Sequence, residues 1–253
     1  MSDKITRRQA IKQMGVAAVT GAAIGVGLAN SSEIISMSRK TDRKMKVLLV
    51  NGSPHVEGCT YTALKEVEFA LRQNGIETEM FWIGRNPVGS CIGCGACQHS
   101  GRCFMNDIVN EFLDKADNFD GFVFGSPVHF AAAAGAMTSF MDRAFFCAMA
   151  SDLMAGKPAA TIASCRRSGT TSTLDQLNKY PIHRGMPLVP SQYWPMVFGN
   201  TPDEVRQDKE GLQIMRTLGN SMAWLISCIE AGKQMGVNYP GKEQPHVRTN
   251  FIR

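Results

Sequence analysis

No uninterrupted apolar run in this chain reaches the roughly 20 residues that a membrane-spanning helix needs. Charged residues make up only 19 % and aromatics 8 %. No basic stripe interleaved with aromatics occurs, which leaves nucleic acid out as a partner. The Walker sequence is missing, as is Gly-x-Gly-x-x-Gly, so neither common nucleotide fingerprint applies. There is no His-Glu-x-x-His pair and no Ser-His-Asp set, which removes the usual zinc and serine hydrolases. What remains is a chain of 253 residues, 44 % apolar, enough for one large domain or two small ones with a sizeable core. The formal charge is +5. Lys4, Arg7, Arg8 and Lys12 against Asp3 put +3 of it in residues 1–29 and leave about +2 for the rest.

Those first residues read as an address. "TRRQAIK" places an arginine pair before a Gly/Ala-rich apolar stretch, Met14–Ala29, and "GLA" at 27–29 has the small residues of a cleavage site. The segment resembles a twin-arginine export signal, with Ala10 where phenylalanine is common. The expectation is residues 1–29 as signal, 30–44 as linker, 45–236 as the folded domain and 237–253 as a tail. Export to a periplasm or cell surface follows, or a cytoplasmic location if the leader does not work.

The clearest chemistry begins at "KMKVLLVNGSPHVEGCTYTALKEVEFALRQNG". Val47–Val50 is a continuous apolar run, as a buried parallel strand requires. A helix starting near Thr60 carries Ala63, Val67, Ala70 and Leu71 on one face and stops at Asn74-Gly75. Between a strand end and a helix start, backbone N–H groups and the helix dipole favour a phosphate. Ser53, Thr60 and Thr62 add hydroxyls there.

The α/β rhythm repeats. Strands are expected at 76–83, 121–130, 157–164 and 186–194, helices at 135–148 and 203–235, and a polar loop over "CRRSGTTSTLDQ", with 173–200 read as an insertion. Five strands separated by helices predict an α/β domain with a doubly wound parallel sheet. Ligands of such sheets sit beyond the carboxyl ends of the strands, where loops 52–62, 126–131 and 164–172 should meet. A flat, amphipathic, phosphate-bearing cofactor suits that set, a description that fits FMN.

"NGSPHVEGCT", "CIGCGACQHSGRC" and "GSPVHF" followed by "AMTSFMDR" resemble the NADPH-dependent FMN reductase family of flavodoxin-like proteins, and within it the iron–sulfur flavoproteins. The resemblance implies FMN, with Ser53, His55, Cys59, Thr60 and Thr62 around its phosphate. It implies Pro127, Val128, His129 and Phe130 along the ring, and Ser164, Arg166, Gly169 and Thr170 on the third side. His55 stands where the family usually has arginine, and Cys59 where it has asparagine.

Cys91, Cys94, Cys97 and Cys103 follow the spacing Cys-x2-Cys-x2-Cys-x5-Cys. This differs from the bacterial ferredoxin run, whose last gap is three residues and is followed by proline. It also differs from the separated pairs of structural zinc. A single 4Fe-4S cluster, a metal-free loop, disulfides and zinc all stay open on spacing alone. The resemblance implies the cluster. Cys147, Cys165 and Cys228 read as small buried residues.

The function expected is an oxidoreductase that passes electrons through FMN from NAD(P)H, or from a redox protein donor, to a small acceptor such as a quinone, flavin, azo or nitro compound. The alternatives are a non-enzymatic electron carrier and a scaffold that has lost its ligand. No catalytic side chain is named, because the cofactor performs the chemistry. The resemblance also implies a homo-oligomer, a dimer or tetramer.

Overall fold

The computed structural model describes residues 43–245, 247, 249 and 251. The expected signal and most of the linker lie outside the described residues.

The chain enters the sheet on β1 (Lys46–Asn51), buried from its second residue onward. Alternation decides its neighbours. Leu48 and Val50 join one apolar core, while Val47 and Leu49 join the other on the opposite face. α1 (Cys59–Gln73) then returns along the second face, and β2 (Glu77–Trp82) pairs parallel to β1 as a half-exposed edge. The cysteine segment contains the short α2 (Cys97–Ser100), and α3 (Ile108–Ala116) follows it. β3 (Gly121–His129) follows, with a two-residue antiparallel return, β4 (Ala132–Ala133). Then come α4 (Gly135–Cys147), β5 (Ala159–Cys165), α5 (Thr170–His183), β6 (Met196–Phe198), α6 (Pro202–Gln207) and α7 (Lys209–Gln234).

The strand order is β2-β1-β3-β5-β6, all parallel, with β4 off the path. This is the doubly wound flavodoxin-like arrangement, whose order reverses between β1 and β3. The expected fold class is therefore met. α1 and α7 cover one face, while α3, α4 and α5 cover the other. The core under α3, α4 and α5 is strongly aromatic: Phe112 on α3 meets Phe140 on α4 edge to face at 5.2 Å between centroids. That contact fixes α4, the helix on which the cysteine segment leans.

Three expectations need correction. The last strand is not 186–194 but Met196–Phe198, and Leu188 forms only an isolated bridge to Ala159. Pro187, Pro190 and Pro195 punctuate the apolar run and supply no N–H to a ladder. The polar stretch after β5 becomes helix α5 from Thr170, so the first part of the supposed insertion, up to His183, is a regular element. The long terminal helix is broken at Asp208. Its carboxylate accepts from the Gly211 N–H at 2.9 Å to cap α7 and from the Phe198 N–H at 2.7 Å to hold β6.

Candidate functional site: a loop mouth and a cysteine cavity

β1, β3 and β5 end side by side, and their loops touch. The first turn closes on itself: the Asn51 carboxamide receives the Ser53 N–H at 3.0 Å and donates to the Val56 carbonyl at 3.1 Å. The Ser53 hydroxyl receives the His55 N–H at 3.1 Å, and Trp82 Nε1 donates to the Ser53 carbonyl at 2.8 Å. α1 then begins at Gly58 with no side-chain cap and no acidic residue in its first turn. Its first N–H groups are the unpaired, positively polarised end that an anion favours. This uncapped start fits a phosphate.

Two contacts tie the three loops together. The Thr60 and Ser164 hydroxyls, both buried, hydrogen-bond each other at 2.8 Å across 104 residues of chain. A Cβ placed on Gly169 would lie 2.6 Å from Ala131 Cα and 2.9 Å from Val128 Cγ1, so the second and third loops meet with no room for a side chain. Gly169 also adopts φ 92°, a conformation for which glycine is the ordinary choice. Facing it, Phe130 and Ala131 hold φ 51° and 57° without being glycine. Such conformations cost about 1–3 kcal/mol each and persist where surroundings enforce them, often at ligand clamps.

The side chains divide into two groups. Ser53, Thr60, Thr62, Ser164 and Thr170 are buried, whereas His55, His129, Phe130 and Arg166 are exposed; Cys59, Pro127, Val128 and Gly169 lie between. Thr62 Oγ1 donates to the Gly58 carbonyl at 3.1 Å, and Thr170 Oγ1 to Met196 Sδ at 3.1 Å, so both hydroxyls already have internal partners. Cys59 Sγ donates to the Gly199 carbonyl at 3.6 Å, and burial pushes its thiol pKa up.

The cysteine segment forms a separate feature. Cys91, Cys94, Cys97 and Cys103 line one cavity of about 60 Å³, several times the room a water molecule needs. Gly93 and Gly95 stand at φ 68° and 72°, and nothing lies within 4 Å of a Cβ built on either. These glycines therefore serve the curl of the backbone rather than clearance around it. Cys91 and Cys94 are exposed, while Cys97 and Cys103 are half-buried. All four are free thiols. Of the three cysteines expected to be buried, Cys147 and Cys165 are, but Cys228 on α7 is exposed.

Cys103 is held at three points. Its N–H donates to Asn110 Oδ1 at 2.9 Å, its carbonyl accepts from Asn110 Nδ2 at 3.0 Å, and its sulfur accepts from Arg143 Nε at 3.1 Å. Arg143, buried on α4, forms a two-bonded pair with Asp107 at 2.7 and 2.8 Å. Burial opposes its charge, but the bonds to Asp107 and Cys103 outweigh that and raise its pKa. Asp107 also caps α3 through the Val109 N–H.

Sequence spacing missed two residues here. Arg143 and Cys147, one helical turn apart on α4, both line the cavity. Burial, then the neighbouring Cys97 and Cys103, push the Cys147 thiol up to about 12. The available signal was the i, i+4 placement of an arginine and a cysteine on one helix face.

Among the described residues, no three His, Cys, Asp or Glu side chains stand together as a site for one metal ion. A cubane carries one thiolate on each of its irons, so its ligands stand farther apart than those around a single ion. Four cysteines around one cavity, with an arginine donor on one sulfur, are compatible with that larger group.

The profile of the NADPH-dependent FMN reductase family matches residues 45–201. The chain belongs to that family. An iron–sulfur flavoprotein of Methanocaldococcus jannaschii is 30 % identical over 194 residues, covering 74 % of this chain and all of that protein. RosB, solved with bound 8-demethyl-8-formylriboflavin-5'-phosphate, superposes with a TM-score of 0.59 at 14 % identity over 83 % of this chain and 92 % of that one. A flavodoxin-type WrbA-like protein from Agrobacterium tumefaciens gives 0.51 at 15 % identity, over 72 % of this chain and 96 % of that one. The two structures share the fold; the family match makes the chain a member of a flavin-binding oxidoreductase family.

Proposed function

We propose that this protein is an FMN-dependent oxidoreductase that also carries one 4Fe-4S cluster. It passes electrons from NAD(P)H or a redox protein to a small acceptor. One observation carries the reading: the three loops at the carboxyl ends of β1, β3 and β5 are tied to one another beside an uncapped helix start.

Bound there, FMN would supply hydride or single-electron transfer at its ring. The chain's own part is binding and exclusion of water. The first N–H groups of α1 and the hydroxyl of Ser53 hold the phosphate, and the exposed His55 lies at the rim. Pro127, Val128, His129 and Phe130 present the second loop along the ring. Ser164, Gly169 and Thr170 close the third side, with Arg166 at its edge. Cys91, Cys94, Cys97 and Cys103 hold the cluster, which would supply single-electron transfer.

The acceptor side is a small molecule, with no nucleic acid involved. A homo-oligomer, dimer or tetramer, is supported by exposed apolar side chains around both features: Phe130 on the second loop, and Ile92, Phe104 and Phe146 beside the cysteine cavity. Export by Arg7 and Arg8 would separate the protein from nicotinamide pools and make a redox protein the donor; in the cytoplasm NAD(P)H serves. Changing both arginines to lysine should hold an exported protein inside the cell, and an unaltered distribution would end that part.

The test is anaerobic reconstitution with FMN, followed by an absorption spectrum and iron and sulfide assays. Stoichiometric yellow protein with iron-dependent absorbance supports the reading. A correctly folded chain that takes up no FMN sinks it. Turnover of NAD(P)H with a quinone separates an enzyme from the alternative, a flavodoxin-type electron carrier.

A further inference from the structure

The cysteine cavity is built on one side only. Cys91 and Cys94 stand exposed at its mouth, whereas Cys103 is fixed by Asn110 through the backbone and by Arg143 through sulfur. Arg143 makes five hydrogen bonds for its five N–H groups. Nε goes to Cys103 Sγ at 3.1 Å. Nη1 goes to the Gly89 carbonyl at 3.3 Å and Asp107 Oδ2 at 2.7 Å, and Nη2 to the Met105 carbonyl at 3.0 Å and Asp107 Oδ1 at 2.8 Å. Four of these donors go to oxygen, and Nε alone is directed at sulfur. A neutral thiol is a poor acceptor, while a thiolate, free or on a metal, is a good one. The fork is rigid and its other four donors are anchored, so Nε is aimed before anything binds.

We propose that Arg143 is a positioning residue for the cysteine site: it holds the Cys103 sulfur by a charge-assisted N–H···S bond and thereby raises the reduction potential of the cluster. The inference rests on the cluster reading given above. Reduction adds one electron and one negative charge to the sulfur-bound group. A nearby N–H donor and positive charge stabilise that more negative state, and hydrogen bonds to ligand sulfur are among the groups that set such potentials. Asp107 offsets part of the arginine charge. Removing the fork should therefore lower the potential, and removing the counter-charge should raise it.

The experiment is a dithionite titration of the full chain carrying its cluster, followed by electron paramagnetic resonance, on wild type, Arg143→Lys and Asp107→Asn. Lysine keeps the charge but lacks the fork. The expected result for Arg143→Lys is reduction made about tenfold less favourable, a midpoint lower by ~59 mV for a one-electron couple, with unchanged iron content. Asp107→Asn should move the midpoint upward. Equal potentials in wild type and Arg143→Lys at equal iron content overturn the inference while leaving the cluster reading standing. Wild-type protein without iron and sulfide overturns the cluster reading, and this inference falls with it. Should Arg143→Lys fail to fold or load, resonance Raman spectra of wild type in H2O and D2O decide. An iron–cysteine stretch that shifts in D2O upholds an N–H···S bond, and one that does not shift refutes it.

Discussion

The loop mouth and the cysteine cavity are two solutions to holding a redox group, and they differ in what carries the geometry. At the mouth, three loops are locked by backbone turns, neutral hydroxyls and one glycine contact, with exposed charged side chains only at the rim. At the cavity, a single buried guanidinium joins two loop segments, at Gly89 and at residues 103–105, to a helix cap, and the opposite wall is open. The first arrangement spreads its stability over many small contacts. The second concentrates it in one ion pair, because a buried charge must be fully paired or it is strongly destabilising.

That contrast can be broken most forcefully at Asp107. Asp107→Ala strands the Arg143 charge in the interior and removes the cap of α3. Chemical unfolding should show a loss of about 3–5 kcal/mol; a loss below 1 kcal/mol would deny that the ion pair anchors the cavity. Gly169→Val comes next. Its Cβ cannot fit against Ala131 and its φ of 92° suits no β-branched residue. About 3 kcal/mol should disappear, together with most FMN uptake followed by fluorescence. Ser164→Ala orphans the buried Thr60 hydroxyl and should remove about 1–2 kcal/mol. Thr60→Val added to it should recover part of that loss, since two apolar groups leave nothing unpaired, and a double-mutant cycle measures the coupling.

The smallest effects sharpen the comparison kinetically. In metal-free protein, iodoacetamide should modify Cys91, Cys94 and Cys228 first, followed by mass spectrometry. Cys147 and Cys165 should react last, because burial raises both thiols and the thiolate is the reactive form. Equal rates across the four motif cysteines would remove the built and open sides of the cavity. Arg166→Ala, on an exposed side chain, should leave stability within about 0.5 kcal/mol.

Much of the mouth was readable from local pattern. The apolar run at 47–50, the NGSP break, the helix from about Thr60 and the GSP break after 121–126 all rest on short-range rules, and they place the loops that the sheet brings together. The stretch at 186–194 misled because its apolar residues suggest a strand while its prolines prevent one. α5 was hidden because Thr-Thr-Ser-Thr favours caps and turns over helix interiors; only packing of Leu174 and Leu177 beneath the sheet pays for helix there.

The sequence by itself determined the parallel α/β sheet, the order of its loops and the presence of four closely spaced cysteines, since each depends on residues within one or two turns of chain. Only tertiary structure decided that Thr60 meets Ser164, that Gly169 abuts Ala131, and that Arg143 reaches Cys103 from another helix. Those partners lie far apart in the chain, and no periodicity encodes a contact that exists only after the layers have packed.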